Sequence, residues 1–241
     1  MTEHAKHPGR ISRKALKEPD EFLTLTGQAL AWSEEHRTKL LAALGVAIVL
    51  GAGLLAFGRY RASRVDAAAE AFHGAHALFQ AARFGDAATA FADVQREFPG
   101  TPFAGLAGLY RGHALGRGGD ASAAATAYQE YLAAGHAADY LRQEALVGLA
   151  HAREAAEDVA GARAAFEEAG ALEGPFRTDA LLGAARAYEA AGESTKARDV
   201  YVKLLGQNPD AELQAMLHSK LPADAATAMS TQSTNVRFAP K

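Results

Sequence analysis

Residues 178–209 read TDALLGAARAYEAAGESTKARDVYVKLLGQNP. A helical run is followed by a turn of the Gly/Asp kind, here Gly192 and Glu193, then by Ala197 and an aromatic, Tyr201, four residues later. Pro209 closes the stretch eight residues beyond the aromatic. The same pattern recurs upstream as Ala87/Phe91, Ala124/Tyr128 and Ala162/Phe166, and successive alanines are 37, 38 and 35 residues apart. Pro99 and Gly174 stand in the closing place of the first and third units, and His136 stands in that of the second. A period in this range marks a solenoid of helix pairs. Each antiparallel pair leaves an apolar face open that only a neighbouring pair can cover, so stability belongs to the array.

Composition agrees. The 241 residues include 59 alanines but only 11 Val plus Ile. Alanine is the best helix former and β-branched residues favour strands, so an all-α fold is expected. There is no cysteine, which excludes disulfides, a thiol nucleophile, Fe–S clusters and thiolate zinc sites.

The units resemble the tetratricopeptide repeat. That motif places Leu, a small residue and Tyr in the first helix, and Ala, an aromatic and a closing Pro around the second. The fourth unit supplies Leu181, Ala184, Ala185, Tyr188, Ala197, Tyr201 and Pro209. The third supplies Leu146, Leu149, Ala150, Ala162 and Phe166; the second Gly112, Leu115, Ala124 and Tyr128; the first Ala75, Leu78, Ala87, Phe91 and Pro99. The tryptophan of the motif is missing from every unit, so these are degenerate repeats. The array is expected over residues 64–221. Leu213, Met216, Leu217 and Leu221 suit a helix that caps its last pair.

Charge divides the chain. Residues 1–65 carry 10 Lys/Arg and 6 Asp/Glu; residues 66–221 carry 13 and 21, a net of −8. An acidic repeat region argues against nucleic acid as a partner, since such binding rests on phosphate neutralisation. The basic part surrounds residues 40–58, LLAALGVAIVLGAGLLAFG, 19 residues without a charge. As a helix these span about 28 Å, close to the hydrocarbon thickness of a bilayer. A single transmembrane signal anchor is therefore expected. With 39 residues ahead of it, it is not a cleavable signal peptide. A phosphate loop at Gly51, Gly53 and Gly58 is excluded by the uniformly apolar surroundings. Seven Lys/Arg precede the span and three arginines follow it closely, which favours a cytoplasmic N-terminus. Ala43, Ala47 and Gly51 form a small-residue stripe that could pack on another membrane helix.

Residues 20–39 read as an amphipathic helix, started by Pro19 and Asp20, with Phe22, Leu25, Ala29, Trp32 and His36 on one face. Residues 1–19 are expected to be disordered and residues 222–241 to form a flexible tail.

The layout of one anchor followed by four degenerate helix pairs also resembles the ancillary SecYEG translocon subunit family of bacterial inner-membrane proteins. That resemblance implies an inner-membrane protein with a periplasmic repeat domain. It also implies contact with the translocon and with periplasmic chaperones. A structural or coordinating part in a cell-envelope or cell-division complex is the alternative.

In this repeat type the first helices line a concave surface. Aligning the units puts Phe72, Leu109, Val147 and Leu182 in one row and His76, His113, His151 and Arg186 one turn further on. An apolar row beside a partly basic row is a candidate peptide groove. First helices roughly 8–10 Å apart cannot bring three such histidines onto one zinc ion, so no metal and no cofactor are expected. HExxH, GxSxG and phosphate-loop motifs are all missing, and an enzyme is not expected.

Overall fold

The computed structural model describes residues 21–135 and 138–221; of residues 21–26 and 29 it describes the backbone only. The expectations for residues 1–19, for the face of Phe22, Leu25 and Ala29, for His136 and for the tail 222–241 lie outside the described residues. Among those residues all regular structure is helical, in ten helices. The chain divides into two compact units, Met1–Arg61 and Ala62–Lys241.

In the first unit, α1 spans Glu21–Glu35 and α2 begins at Arg37. Helical bonding continues past His36: its N–H donates to Trp32 O at 3.1 Å, and Leu40 N–H donates to His36 O at 2.9 Å. The His36 ring stacks on Trp32 with centroids 4.8 Å apart. The two residues thus share a face, four apart. α2 is one helix, Arg37–Gln80, with no break after residue 58. The boundary segment RYRASRV carries no proline or glycine, so nothing in it ends a helix. Among the described residues, α2 alone is long and apolar enough to cross a membrane, and none of those residues buries that stretch. Val49 is 70% exposed and Leu55 74%.

The second unit is a row of helix hairpins. The part of α2 in this unit pairs with α3 (Phe84–Glu97), α4 (Pro102–Arg117) with α5 (Ala121–Ala133), α6 (Asp139–Ala155) with α7 (Val159–Ala171), and α8 (Arg177–Ala190) with α9 (Ser194–Leu205). The turns inside the hairpins repeat as faithfully as the helices. Ala82, Gly119, Glu157 and Gly192 occupy the same place and all have positive φ, 57°, 86°, 63° and 75°. The N–H after each reaches back to close the first helix: Arg83 to Leu78 O, Asp120 to Leu115 O, Asp158 to Arg153 O and Glu193 to Tyr188 O, at 2.8–3.0 Å. This is the Schellman closure. In two turns the same residue then starts the next helix, Asp120 accepting from Ala123 N–H at 3.0 Å and Asp158 from Gly161 N–H at 2.9 Å.

The core runs between hairpins. All four alanines and all four aromatics of the repeating pairs are buried, Phe91 and Phe166 completely. Rings fit because small residues make room. A Cβ on Gly112 would lie 2.6 Å from Tyr128 Cε1, and one on Gly148 would lie 2.5 Å from Tyr128 Cζ. Tyr128 thus stands between α4 and α6. Phe166 leans on Gly183 of α8 in the same way. Ion pairs join the two helices of the second and third hairpins, Arg111–Glu130 at 2.9 Å and Arg142–Glu168 at 2.8 Å, and Arg163–Glu193 at 2.6 Å joins the third hairpin to the fourth. The array closes on α10 (Ala211–Lys220), where Leu217 and Leu221 bury against Tyr201 and Leu204. Met216, expected in that cap, is instead 36% exposed.

The turn generates a test. Ala82 and Glu157 hold a left-handed backbone that costs a non-glycine residue roughly 1 kcal/mol. Glu157→Gly, at a place where two sister turns already use glycine, is expected to stabilise the chain by about 1 kcal/mol. That raises Tm by roughly 2–4 °C for a unit of this size. Thermal unfolding followed by circular dichroism checks it; a lowered Tm contradicts the strain.

Candidate functional site

The first helices of the second, third and fourth hairpins and the end of α2 enclose a cavity of about 450 Å³. Its walls are apolar: Phe79 of α2, Val147 and Ala152 of α6, and Phe176 just before α8. The Tyr128 ring closes it from below, in the space that Gly148 leaves. Its polar groups are few. They are His113, Glu144, His151, Asp179 and Arg117.

Those groups are held in place. Glu144 is a carboxylate and can only accept, so His113 Nε2–H donates to its Oε1 at 3.1 Å. His113 Nδ1 is then an acceptor, and the Tyr128 hydroxyl donates a hydrogen bond to it at 2.7 Å. Tyr128, His113 and Glu144 thus form one chain of hydrogen bonds linking α5, α4 and α6. Burial, and after it the Glu144 charge, holds the Tyr128 phenol well above its ordinary range. Tyr201 in the fourth hairpin is pushed up to about 12, first by burial and then by its hydrogen bond to Glu189. His151 lies edge-on to Phe166 at 5.0 Å, with Nδ1 3.3 Å from Glu154 and Nε2 3.9 Å from Asp179.

One buried residue escaped the repeat reading. Gln143 of α6 is 0% exposed. Its amide donates to Ala169 O and Leu172 O, both at 3.0 Å, and its carbonyl accepts from Phe176 N–H at 3.0 Å. It ties the end of α7 to the start of α8 and so fixes Phe176 in the cavity wall. No periodic signal announces such a residue, because its partners lie 26 to 33 positions away.

The structure sorts the two expected rows differently. In the first row, Phe72, Leu109 and Val147 are 6%, 0% and 7% exposed, and Leu182 is half-buried. They are core, not groove; only Val147 reaches the cavity. Each first helix turns a wide stripe to its own partner and to the next hairpin, and that stripe takes the apolar row. The second row is the accessible one. His113 and His151 border the cavity. His76 is half-buried between Phe72 and Tyr110, and Arg186 is exposed with its guanidinium 5.9 Å over Phe166. Ala43, Ala47 and Gly51 lie four residues apart along α2 in the first unit. Among the described residues no three His, Asp or Glu side chains lie close enough to hold a metal ion.

The repeated hairpins and their shared turns define a helix-pair repeat protein, and the comparison with known families is specific. The chain belongs to the tetratricopeptide repeat-like domain family, which matches residues 31–225. The match begins ahead of the apolar stretch of α2, so that stretch is part of the family's domain. No curated protein matches the chain. A putative kinesin light chain from Podosopora anserina with nearly identical TPR-like repeats is 19% identical at a TM-score of 0.52, covering 68% of this chain and 88% of that one. A tetratricopeptide repeat protein from Parabacteroides merdae ATCC 43184 is 15% identical at a TM-score of 0.56, covering 64% of this chain and 59% of that one. These likenesses concern the fold. Repeats of this kind are typically non-catalytic scaffolds for protein partners.

The buried phenols set a pH limit. A phenol whose native pKa is raised contributes stability in full below pH 10, its unfolded value, and loses it as pH climbs through the native value. The chain is therefore expected to hold its helical signal to about pH 10 and to destabilise between there and about pH 12, where Tyr201 ionises. Urea unfolding at stepped alkaline pH measures this. Stability that stays flat to pH 12 contradicts the burial of these hydroxyls.

Proposed function

We propose that the chain is a single-pass inner-membrane adaptor whose repeat domain lies in the periplasm. There it serves as an ancillary subunit of the Sec translocon and links it to periplasmic chaperones. The observation that carries this reading is the uncovered apolar stretch of α2, 0% buried within the chain. A core helix buries its leucines, whereas this one presents Leu41, Leu44, Leu50, Leu54 and Leu55 more than half exposed. Such a surface is stable only against lipid or another apolar partner. Arg37 and Lys39 at one end and Arg59 and Arg61 at the other sit where headgroups would be. The excess of positive charge before the span supports a cytoplasmic N-terminus. The layout of anchor and four helix pairs supports the translocon, and the small-residue stripe Ala43, Ala47, Gly51 gives α2 a face for a second membrane helix. The groove bordered by His113 and His151 is the docking face for protein partners.

The anchor decides between a translocon subunit and a mere tether. Replacing residues 40–58 by a polyleucine-type span is expected to leave the chain in the membrane fraction and to abolish its co-purification with the translocon. Undiminished co-purification makes α2 a tether only, as a scaffold of an envelope or cell-division complex would have. A periplasm-dependent reporter fused after Lys241 should be active; an inactive one reverses the orientation.

A further inference from the structure

The two histidines that border the cavity are bonded in opposite senses. His113 is saturated: Nε2–H donates to Glu144 at 3.1 Å, and Nδ1 accepts from the Tyr128 hydroxyl at 2.7 Å. His151 is not. A carboxylate only accepts, so the contact of His151 Nδ1 with Glu154 Oε2 at 3.3 Å places the ring proton on Nδ1. In the neutral ring Nε2 is then a bare acceptor. It faces a second acceptor, Asp179 Oδ2, at 3.9 Å. Two acceptors stand off from each other, and this distance is too long for a hydrogen bond. The Asp179 carboxylate has no hydrogen bond among the described residues.

The groups facing His151 are few. On its own helix they are Glu154 and, across the cavity floor, Glu144. α8 brings Asp179 and Arg186, α4 brings His113 and Arg117, and α5 brings the Tyr128 hydroxyl. α7 and α2 present only rings, Phe166 and Phe79. Glu144 and Tyr128 are committed to His113. The guanidinium groups of Arg117 and Arg186 lie over Phe84 and Phe166, at 5.8 and 5.9 Å. The partners left for an added proton on His151 are therefore the carboxylates of Glu154 and Asp179.

We propose that His151 is an acid-operated latch between the third hairpin and the fourth. Imidazole changes charge between about pH 5 and 8, and the charged ring donates from both nitrogens. His151 then keeps Glu154 through Nδ1–H and closes on Asp179 through Nε2–H. A charge-assisted bond of this kind is roughly 2.7–2.9 Å long, so the pair shortens by about 1 Å. The latch adds a second tie between α6 and α8, beside the bond from Phe176 N–H to Gln143. Both partners line the cavity. At neutral pH the Asp179 carboxylate is open to a donor on a docked peptide; in acid His151 occupies it. As a regulator of docking the latch rests on the groove being the docking face, whereas the latch itself rests on the geometry of these three residues.

Two measurements on the full chain in detergent test the latch. The first is nitrogen NMR of the chain labelled with 15N-histidine at pH 8, assigned with His151→Gln and His113→Gln. His151 is expected to carry its proton on Nδ1 and His113 on Nε2; a neutral His151 protonated on Nε2 overturns the proposal. The second is a double-mutant cycle of His151→Gln and Asp179→Asn in urea unfolding followed by circular dichroism. The two side chains are 45% and 55% exposed, so both variants should fold. At pH 5.5 the pair is expected to couple by about two- to fivefold in the folded-to-unfolded ratio, and at pH 8 not at all. Equal coupling at both pH values, or none at pH 5.5, overturns the proposal. A groove that binds no peptide would leave these results as they are, and a missing coupling would leave the groove reading standing.

Discussion

Aromatic rings standing on small residues hold the array together. Tyr128 fills the gap between Gly112 and Gly148, and Phe166 leans on Gly183. An aromatic side chain buries more area than any other kind, and alanine-rich helices offer little else of comparable size. With most core positions filled by alanine, the rings are what separates one hairpin from the next and sets their spacing. The glycines matter as much as the rings. A methyl group there would meet a ring at a distance that real side chains do not tolerate. The polar chain from Tyr128 through His113 to Glu144 follows from the same seat, because it fixes where the phenol oxygen emerges.

The cavity is a by-product of this packing. Since Tyr128 occupies the space between α4 and α6 from below, the surface above it stays concave. Gln143 then fixes the far wall by clamping the α7–α8 connection. The ion pairs Arg111–Glu130 and Arg142–Glu168 each join the two helices of one hairpin, partly exposed and of small individual worth. The cavity itself keeps only a few polar groups among apolar walls.

Much of this was legible in the sequence because it repeats. The Ala/aromatic pairs marked the buried seam of every hairpin, and their offsets of 37, 38 and 35 residues reappear in the spacing of Ala82, Gly119, Glu157 and Gly192 at the turns. The turn was read as a Gly/Asp turn, but two of those four are not glycine, and a left-handed Ala or Glu carries no compositional mark. The groove was half legible. Its polar row could be aligned, and His113 and His151 do border the cavity. The adjacent apolar row is core, because spacing alone cannot distinguish the stripe that meets a neighbour from the stripe that meets solvent. Gln143, Phe176 and Asp179 could not be found at all, since what unites them is a loop crossing and not a period. The seamless course of α2 past residue 58 shows the converse. A change from apolar to charged composition reads as a boundary, yet it does not by itself end a helix, and α2 runs on to Gln80.

The seating of rings on glycine is tested most directly by filling the seats. Gly148→Ala and Gly183→Ala add one methyl group each to helix interiors, where alanine has the better intrinsic propensity by about 1 kcal/mol. If the ring seats govern the array, both variants lose stability in urea unfolding by roughly 1–3 kcal/mol despite that gain, as overpacked cores do. If either variant is as stable as the parent chain or more so, the rings do not depend on those glycines and the packing described above is wrong.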